Sequence, residues 1–326
     1  MKIHIQKHNQ YKKLVDTQLH QCVQKKKPNS LYEPIRYILA GGGKRIRPLL
    51  TIFACEAVGG KGKNALHAAV ALEILHNFTL VHDDIMDNAA ARRGRATIHT
   101  KWDSNVAILA GDELIAIAYR ELLKTQSPEI ARITNVFTDG VVEVCEGQAL
   151  DKEYEYRTNV TIHEYLEMIS KKTGKMIAIA AEIGAIIGGG TEKEIQILKN
   201  YGTSLGRAFQ IQDDLLDVIA DEKEFGKTIG GDIVEGKKTF LFIEAYQRAK
   251  GEDKKFLHKV LLNNGTTKKN ISHVREIYKK YGVLELAHNF VTKDITKANQ
   301  ELQKLRNPKA KETLYWFSEM VLGRKF

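Results

Sequence analysis

The chain has 326 residues, of which 43% are hydrophobic, and its 50 Lys and Arg against 40 Asp and Glu give a formal net charge of +10. This composition indicates a folded, soluble globular protein. Residues 1–13 are polar and lack the apolar segment of a signal peptide, so we expect no export. The longest apolar run, residues 176–187, is interrupted by Glu182 and is too short to cross a bilayer.

The cysteines and the basic charge restrict the location and the binding partners that we expect. Cys22, Cys55 and Cys145 are too few and too scattered for a disulfide framework or a zinc site, which favours a cytoplasmic location. The positive charge is compatible with nucleic acid binding or with weak contact to an anionic membrane surface. Because no nucleic-acid-binding module accompanies the basic residues, we expect no nucleic acid partner and at most weak membrane-surface contact. Part of the charge is better assigned to anionic substrates.

The pattern of apolar residues predicts an all-α protein. Only five prolines occur, and apolar residues recur at helical spacing, as at Leu66, Val70 and Ile74. The predicted helices, in chain order, cover residues 8–24, 31–39, 47–58, 64–87, 103–123, 129–151, 161–173, 174–188, 192–218, 237–249, 252–262, 270–280, 283–304 and 308–322. Glycine and charged residues predict loops at 41–44, 88–97, 188–190 and 221–236.

The sequence offers no point at which to divide it into domains. It has no Pro-, Ser- or Gly-rich spacer, and no tandem repeat with a period of about 20–50 residues. We therefore predict a single large helical domain over residues 1–326.

The first predicted loop and the start of the third helix read GGGKRIRP, residues 41–48. Glycines allow a phosphate to approach the backbone, Pro48 suits a first helical turn, and amides at a helix start attract anions. Together with Lys44 and Arg47 this sequence indicates a diphosphate cradle, although alone it is equally compatible with a basic loop. It is not a P-loop, because the GxxxxGK[ST] spacing is absent.

Two acidic clusters repeat the pattern DDxxD within apolar helix formers: residues 82–87 read HDDIMD and residues 212–217 read QDDLLD. The helical period puts Asp83 and Asp87 one turn apart on one face, and the second cluster repeats this arrangement. Carboxylates in apolar surroundings are costly unless cations neutralise them, and oxygen-only ligands favour magnesium bridged to phosphates. A single cluster could instead cap a helix end or face water. Two clusters flanked by basic motifs indicate metal-bound diphosphate, and we expect them to face each other.

Basic residues accompany the first cluster on both sides. His76 lies seven residues before Asp83 and shares its helix stripe, although a histidine at such a position is more often part of a core. Arg92 and Arg93 follow the cluster at a distance that lets the loop fold back over a metal-bound ligand. Arginine is suited to multidentate recognition of phosphate.

Taken together, these motifs resemble the trans-isoprenyl (polyprenyl) diphosphate synthase family, and most closely its geranylgeranyl diphosphate synthases. The segments that carry the resemblance are residues 41–48, 80–87, 92–94, 206–217 and 231–239. The last quarter of the chain matches only in its helical character.

The resemblance implies an all-α isoprenoid synthase fold with a central cavity between helices, a homodimer, and three magnesium ions in each active site. It implies direct metal ligands at Asp83, Asp87 and Asp213, with water-mediated contacts from Asp84, Asp214 and Asp217. It implies that isopentenyl diphosphate is held by Lys44, Arg47, His76 and Arg93. It implies that the allylic diphosphate is held by Arg92, Lys172, Thr173, Gln210, Lys227 and Lys237, of which Lys172, Thr173 and Gln210 are the expected catalytic residues.

The implied reaction is the condensation of isopentenyl diphosphate with an allylic prenyl diphosphate. Magnesium and cationic side chains would stabilise the departing diphosphate, leaving an allylic carbocation that the double bond of isopentenyl diphosphate attacks. A proton is then lost to the released diphosphate. Apolar walls would protect the cation from water, and no protein nucleophile is required.

The length of the product is expected to depend on Phe78 and Thr79. In this family an aromatic residue five positions before the first aspartate limits elongation, and here that residue is Phe78, followed by the small Thr79. This pairing resembles geranylgeranyl synthases, with a farnesyl or longer product as the alternative. A helical wheel places Thr79, not Phe78, directly below Asp83, so an ordinary core role for Phe78 stays open.

The sequence departs from the family pattern at residues 88–91, which read NAAA where relatives commonly place further acids. The basic tail, residues 324–326, could close over a diphosphate or be a solvated terminus.

Three other functions are alternatives to a prenyl diphosphate synthase: a terpene cyclase, a noncatalytic helical subunit that regulates a related synthase, and a basic nucleic-acid-binding protein.

Overall fold

The structure is a computed structural model, and it describes residues 2–219 and 230–323. Its helices are α1 (Lys2–Val23), α2 (Asn29–Leu39), α3 (Ile46–Ala57), α4 (Leu66–Met86), α5 (Ile98–Lys101), α6 (Ser104–Leu122), α7 (Ile130–Tyr156), α8 (Ile162–Ile169), α9 (Lys175–Ile187), α10 (Glu192–Ile219), α11 (Gly231–Val234), α12 (Phe240–Arg248), α13 (Gly251–Leu262), α14 (Ile271–Lys280), α15 (Val283–Gln303) and α16 (Pro308–Leu322). Short 3-10 turns cover Gly62–Ala65 and Lys268–Asn270, a π-helical turn covers Ser170–Gly174, and the strands are β1 (Ala91–Arg92) and β2 (Arg95–Ala96). The all-α prediction is confirmed.

The structure differs from several predicted elements: α1 begins at Lys2 rather than at residue 8, α5 was not predicted, and α7 ends at Tyr156 rather than at residue 151. Three further differences lie near the motifs. The predicted loop 88–97 contains an antiparallel hairpin in which Ala91 pairs with Ala96. The predicted helix 161–173 ends at Ile169 and continues as the π-helical turn. The described end of the predicted loop 221–236 contains the short helix α11, whereas residues 220–229 lie outside the described part of the chain.

Contacts between residues divide the chain into two compact units built from interleaved segments. Unit 1 comprises Met1–Asp139, Met176–Lys199 and Glu301–Phe317, and unit 2 comprises Gly140–Lys175, Asn200–Gln300 and Ser318–Phe326. The first acidic cluster therefore belongs to unit 1 and the second to unit 2. The single domain, the central cavity and the facing of the two clusters stay predictions.

The core of unit 1 is built around α4 and α9. α4 is buried almost continuously from Ala68 to Leu75, and α9 is buried from Met176 to Ile186, so each is apolar on every side rather than on one stripe. A Cβ at Gly184 of α9 would lie 2.2 Å from the carbonyl oxygen of Thr51 in α3, so glycine allows these two helices to touch. The acidic cluster stands at the end of this rigid helix α4.

The core of unit 2 surrounds the second half of α10. Its buried side chains come from α8, α10, α12, α13, α14 and α15, and they include Tyr165, Ile211, Leu215, Leu241 and Ile277. One face of α10 is thereby packed against apolar neighbours along its length. This packing fixes the direction of the acidic cluster on the same helix.

A capping box determines where α8 begins. The hydroxyl of Thr161 accepts a hydrogen bond from the backbone N–H of Glu164, and the carboxylate of Glu164 accepts one from the backbone N–H of Thr161 at 2.8 Å. The helix then runs for two turns into the π-helical turn, which carries Lys172 and Thr173. No helix in the described residues has the length and apolar character needed to cross a membrane.

Candidate active site

The glycine-rich loop before α3 adopts a backbone that favours glycine. Gly42 and Gly43 have φ angles of 71° and 147°, and Arg93 Nη1 donates a hydrogen bond to the carbonyl oxygen of Gly42 at 2.5 Å. A Cβ at position 43 would lie 3.2 Å from Arg93 Nη1. Glycine therefore makes room for the arginine, which ties the β1–β2 hairpin to this loop.

Arg45 anchors the same loop to the core of unit 1. It has a φ of 53° and is buried, with Nη1 2.6 Å from Oε1 of buried Glu73 and Nε 2.7 Å from Oδ1 of Asp16. Burial opposes its charge, but Glu73 and Asp16 together raise the pKa of Arg45. In the sequence Arg45 counts only as one of the three cations of the predicted diphosphate cradle at residues 41–48. No local signal indicates its distant partners.

Arg47 is the second residue of α3 and is half-buried as a whole. Its Nε is buried and has no hydrogen-bond partner among the described residues. Burial lowers the pKa of Arg47 to about 10, although Glu73 opposes that shift, and the nearby charge of Arg93 lowers it further. A guanidinium whose Nε is enclosed and unpaired is stabilised by an anion that supplies the missing acceptor.

His76 lies in the same electropositive surroundings. Burial lowers its pKa well below the ordinary value, and the charges of Arg47, Arg93, Arg92 and Arg45 lower it further. The imidazole is therefore neutral at pH 7 and can donate one hydrogen bond. Around His76 the structure thus brings together three of the residues expected to hold isopentenyl diphosphate, and the fourth, Lys44, is exposed on the glycine-rich loop.

The three aspartates of the first cluster have different surroundings. α4 ends at Met86, so Asp87 is its C-terminal capping residue, and its backbone N–H bonds the carbonyl oxygen of Asp83 at 2.9 Å. Asp83 and Asp87 are half-buried, whereas Asp84 is 2% exposed and accepts a hydrogen bond from Arg92 Nε at 2.6 Å. Burial raises the pKa of Asp84 and Arg92 opposes this shift. The Asp84 carboxylate thus points toward its partner Arg92 in the protein.

The paired arginines stand where β1 enters a tight hairpin turn: Arg92 ends the strand and Arg93 is the first turn residue. Arg93 and Gly94 have φ angles of 53° and 72°, which are the left-handed values that a two-residue turn of type I′ requires. Arg92 reaches Asp84 and Arg93 reaches the glycine-rich loop. Arg92 therefore ties the hairpin to the first cluster, whereas the predicted closure over a metal-bound ligand stays a prediction.

In unit 2 the second cluster is part of a hydrogen-bond chain. The hydroxyl of Thr173 donates to Gln210 Oε1 at 2.8 Å, Gln210 Nε2 donates to Asp214 Oδ1 at 3.0 Å, and the hydroxyl of Tyr165 donates to Asp214 Oδ2. Burial raises the pKa of Asp214 to about 7, while the bonds from Tyr165 and Gln210 oppose the rise. Gln210 was expected at this site and precedes Asp214 by one turn of α10, whereas no sequence signal indicated Tyr165.

In both clusters the aspartates differ in the same way in their exposure to solvent. The second aspartate of each, Asp84 or Asp214, is at most 4% exposed and hydrogen-bonded to the protein. Asp83 and Asp213 are half-buried. This difference agrees with the expectation that the second aspartate of each cluster does not bind metal directly.

The remaining expected phosphate-binding residues of unit 2 lie near acids. Lys172 Nζ is 2.6 Å from Asp151 Oδ2, and Lys237 Nζ is 3.1 Å from Glu235 Oε2. Lys227 lies outside the described residues, as does the basic tail at 324–326.

Phe78 and Thr79 face different neighbours on α4. The Phe78 ring is buried and packs edge-on against the His82 ring, with ring centroids 4.8 Å apart. The hydroxyl of Thr79 donates to the carbonyl oxygen of His76 at 2.8 Å. Both side chains stand below the first acidic cluster on the same helix.

Comparison with known proteins identifies the family. The sequence model of the polyprenyl synthetase family matches residues 28–281. The chain is 39% identical over 316 residues to the short chain isoprenyl diphosphate synthase of Methanothermobacter thermautotrophicus, covering 97% of each chain. It is 38% identical over 301 residues to the geranylgeranyl diphosphate synthase of Sulfolobus acidocaldarius, covering 90% of this chain and 91% of that one. The crystal structure of geranylgeranyl pyrophosphate synthetase from Pyrococcus horikoshii superposes with a TM-score of 0.94 at 39% identity, covering 99% of each chain.

The chain belongs to the polyprenyl synthetase family. It is a trans-prenyl diphosphate synthase, which confirms the activity and the fold that the motifs predict. The family as a whole depends on magnesium and uses isopentenyl diphosphate and allylic diphosphates.

The donor set of this synthase fits magnesium bound together with a diphosphate. Asp83, Asp87 and Asp213 offer only carboxylate oxygens, the ligands that magnesium prefers. Within residues 2–219 and 230–323, no group of three or more His, Cys, Asp or Glu side chains forms a ready metal cage. Magnesium commonly takes one or two carboxylates and completes its shell with water and substrate phosphate.

Proposed function

We propose that this synthase condenses isopentenyl diphosphate with an allylic prenyl diphosphate and releases geranylgeranyl diphosphate. The observation that carries the substrate assignment is the buried Nε of half-buried Arg47, which lacks a partner in the described residues and lies near a neutral His76. A diphosphate supplies the acceptors that this pocket lacks. A farnesyl or longer product is the alternative.

Isopentenyl diphosphate is held by residues of unit 1, namely Lys44, Arg47, His76 and Arg93. Arg93 is already fixed by its bond to Gly42, and its guanidinium keeps further N–H groups for a phosphate. Neutral His76 contributes a hydrogen bond without adding charge repulsion to the arginines around it. The allylic diphosphate is held by Arg92, Lys172, Thr173, Gln210, Lys227 and Lys237.

Asp83, Asp87 and Asp213 would hold three magnesium ions, which would supply charge neutralisation and Lewis-acid assistance to the departing diphosphate. Asp84 and Asp214 act through their fixed positions, because the protein already bonds Oδ1 of Asp84 and both carboxylate oxygens of Asp214. Each cluster then presents its half-buried carboxylates in a defined orientation. Because these carboxylates are already oriented, less rearrangement of the site is needed when the allylic diphosphate ionises.

In the reaction the allylic carbon–oxygen bond breaks and the diphosphate leaves with the electron pair. Lys172 stabilises the developing negative charge, while Thr173 and Gln210 are held in one orientation by their mutual hydrogen bond. The double bond of isopentenyl diphosphate forms the new carbon–carbon bond with the allylic cation. A proton then passes to an oxygen of the released diphosphate, so no protein base is needed.

The substrate assignment is tested by incubating the purified protein alone with isopentenyl diphosphate, magnesium and each allylic starter in turn. Asp83→Ala and Asp213→Ala are expected to lower turnover by roughly a hundredfold or more, as for other losses of transition-state charge stabilisation. Asp139→Ala, which removes an exposed carboxylate of α7, is the matched control. Undiminished magnesium-dependent turnover in the first two variants would contradict the proposal, and no condensation by the wild type would favour the noncatalytic subunit.

Product length is tested at Phe78. Phe78→Ala is expected to give products longer than geranylgeranyl diphosphate, and Phe78→Leu is a milder variant that keeps more of the core volume. Phe256→Ala is the matched control, because Phe256 also packs edge-on against a histidine ring, with centroids 4.5 Å apart. A product distribution unchanged in both Phe78 variants would reject this residue as the limit on elongation.

We further propose a homodimer that forms through α6. This helix exposes Ile108 and Leu109, and its C-terminal capping residue Leu123 is exposed as well. Exposed apolar side chains of this kind commonly mark a protein interface. Leu109→Lys is expected to weaken the dimer in sedimentation experiments. Leu262→Lys, at a leucine of α13 that is 60% exposed against 59% for Leu109, is expected to leave it intact. A monomeric wild type would contradict the proposal.

We also propose that the enzyme works in the cytoplasm. Cys22, Cys55 and Cys145 are all free thiols, and Cys145 is exposed. Exposed free thiols are typical of reducing compartments. Fractionation of cells that express the protein, followed by immunodetection, tests this assignment.

A further inference from the structure

His82 stands between Phe78 and the backbone of α6. Its ring meets the ring of Phe78 at an interplanar angle of 68°, with centroids 4.8 Å apart. Its Nε2 lies 3.4 Å from the carbonyl oxygen of Ile108 and 3.9 Å from Oδ1 of Asp112. The imidazole is therefore in contact with α4 on one side and with α6 on the other.

A glycine in α6 makes this position of the ring possible. A Cβ at Gly111 would lie 2.2 Å from His82 Nε2 and 2.5 Å from His82 Cδ2, which is closer than non-bonded atoms can approach. Any side chain at position 111 would therefore displace the imidazole. Because His82 also contacts Phe78, displacement of the imidazole would remove a packing contact from the Phe78 ring.

The helical period places His82 on a different face of α4 from Asp83 and Asp87. His82 follows Phe78 by four residues, so these two side chains are stacked on one face of α4. Asp83 follows Thr79 by four residues and occupies the neighbouring face. The contact between His82 and Phe78 can therefore be changed without removing a side chain that is expected to bind metal.

We propose that His82 is a positioning residue for product length, which holds the Phe78 ring in the place where it stops elongation. This inference rests on the proposed role of Phe78. In a packed interior an aromatic ring moves only when its neighbours yield, and edge-to-face ring pairs favour one relative orientation. Gly111 and the backbone of Ile108 fix His82, and His82 in turn fixes Phe78.

Two variants that disturb the same contact in different ways test the proposal. His82→Ala removes the supporting ring, and Gly111→Ala displaces it. Each is expected to raise the ratio of longer products to geranylgeranyl diphosphate by roughly two- to tenfold, the range that corresponds to one aromatic ring pair. His82→Phe keeps a ring against Phe78 and is expected to restore a distribution close to that of the wild type. The oligomeric state of each variant is measured alongside, because Gly111 lies on the proposed dimer helix.

The matched control is His273→Ala. His273 makes the same kind of edge-on contact with Phe256, with centroids 4.5 Å apart and an interplanar angle of 77°, but it lies in unit 2. Its removal is expected to leave the product distribution unchanged. A shift in this control as large as that in His82→Ala would show that loss of any such ring pair alters the product, and would overturn the proposal.

The double variant Phe78→Ala with His82→Ala separates this inference from the proposed function. If His82 acts through Phe78, the double variant gives the same products as Phe78→Ala alone. If Phe78→Ala lengthens the product and His82→Ala does not, the positioning role is wrong and the role of Phe78 stands. If neither Phe78→Ala nor Phe78→Leu changes the product, the proposed limit itself is wrong. A further shift on adding His82→Ala to Phe78→Ala would mean that His82 acts on its own.

Discussion

Gly147 of α7 packs against the backbone of Lys172 in the π-helical turn. A Cβ at position 147 would lie 2.3 Å from the amide nitrogen of Lys172 and 2.8 Å from its Cα. Backbone atoms cannot rotate out of the way as the end of a flexible side chain can. The absence of a side chain at Gly147 therefore allows α7 to lie against the turn that carries Lys172 and Thr173.

Replacing Gly147 by alanine is expected to move this turn. We expect Gly147→Ala to lower the free energy of unfolding by about 1–3 kcal/mol, the usual effect of overpacking, and to reduce kcat. Gly174→Ala is the matched control in the same turn, because its Cβ would be 3.6 Å from the nearest atom, an ordinary contact distance. Urea denaturation and steady-state kinetics measure both effects, and equal behaviour of the two variants would contradict the argument.

The bond from Tyr165 to Asp214 supports a second prediction. Tyr165→Phe leaves a buried carboxyl group with one donor fewer, so we expect the free energy of unfolding to fall by about 1–3 kcal/mol. Because Asp214 also holds Gln210, the KM for the allylic diphosphate is expected to rise more than the KM for isopentenyl diphosphate.

Tyr119→Phe provides the comparison for that prediction. The Tyr119 hydroxyl donates to Thr138 at 2.9 Å in an exposed setting, where water can replace the lost partner. We expect little change in stability or in either KM. If Tyr165→Phe raised both KM values equally, the variant would have disturbed the site as a whole and the specific role of Tyr165 would be rejected.

The sequence predicted those features that depend on local periodicity. The helices and the acidic clusters follow from the spacing of apolar residues and aspartates, which a helix converts directly into faces. The π-helical turn at Ser170–Gly174 did not follow, because a shift in backbone hydrogen bonding leaves the apolar pattern on either side almost unchanged. Gly147, which packs against it, belongs to a helix more than twenty residues earlier in the chain.

Residues that support the site through distant partners were also missed. Tyr165 and Asp214 are separated by 49 positions, and Arg45 and Glu73 by 28. Such pairs are set by how helices pack, which a single sequence does not display. The aspartates and the glycine-rich motif could be found because their residue types and spacing carry the chemistry themselves.

The buried pair of Arg45 and Glu73 predicts a large effect on stability. Arg45→Ala leaves the Glu73 carboxylate buried without its cation, and we expect the free energy of unfolding to fall by about 3–5 kcal/mol. Arg132→Ala, which breaks the exposed pair with Glu192, is expected to cost no more than about 1 kcal/mol. Denaturant unfolding of both variants checks the prediction, and a loss below about 1 kcal/mol in Arg45→Ala would contradict the importance of the pair.

The lowered pKa of His76 predicts a dependence of stability on pH. Above the pKa of an unfolded histidine, about 6.5, the imidazole is neutral in both states and has no effect. As the pH falls below that value, the unfolded chain takes up a proton that the folded chain excludes, because burial and the charges of Arg47 and Arg93 oppose it. Stability is therefore lost on acidification, with a slope of up to about 1.4 kcal/mol per pH unit from this group.

Unfolding free energies measured between pH 5 and pH 7 test whether stability falls on acidification. His76→Gln removes the titrating group, so its stability is expected to fall less steeply with acidification than that of the wild type. His163→Gln, at an exposed histidine of α8, is expected to keep the wild-type slope. A wild-type slope in His76→Gln would mean that the folded chain accepts the proton at position 76. The imidazole would then be charged beside the arginines, and the neutral hydrogen-bond donor proposed for isopentenyl diphosphate would be lost.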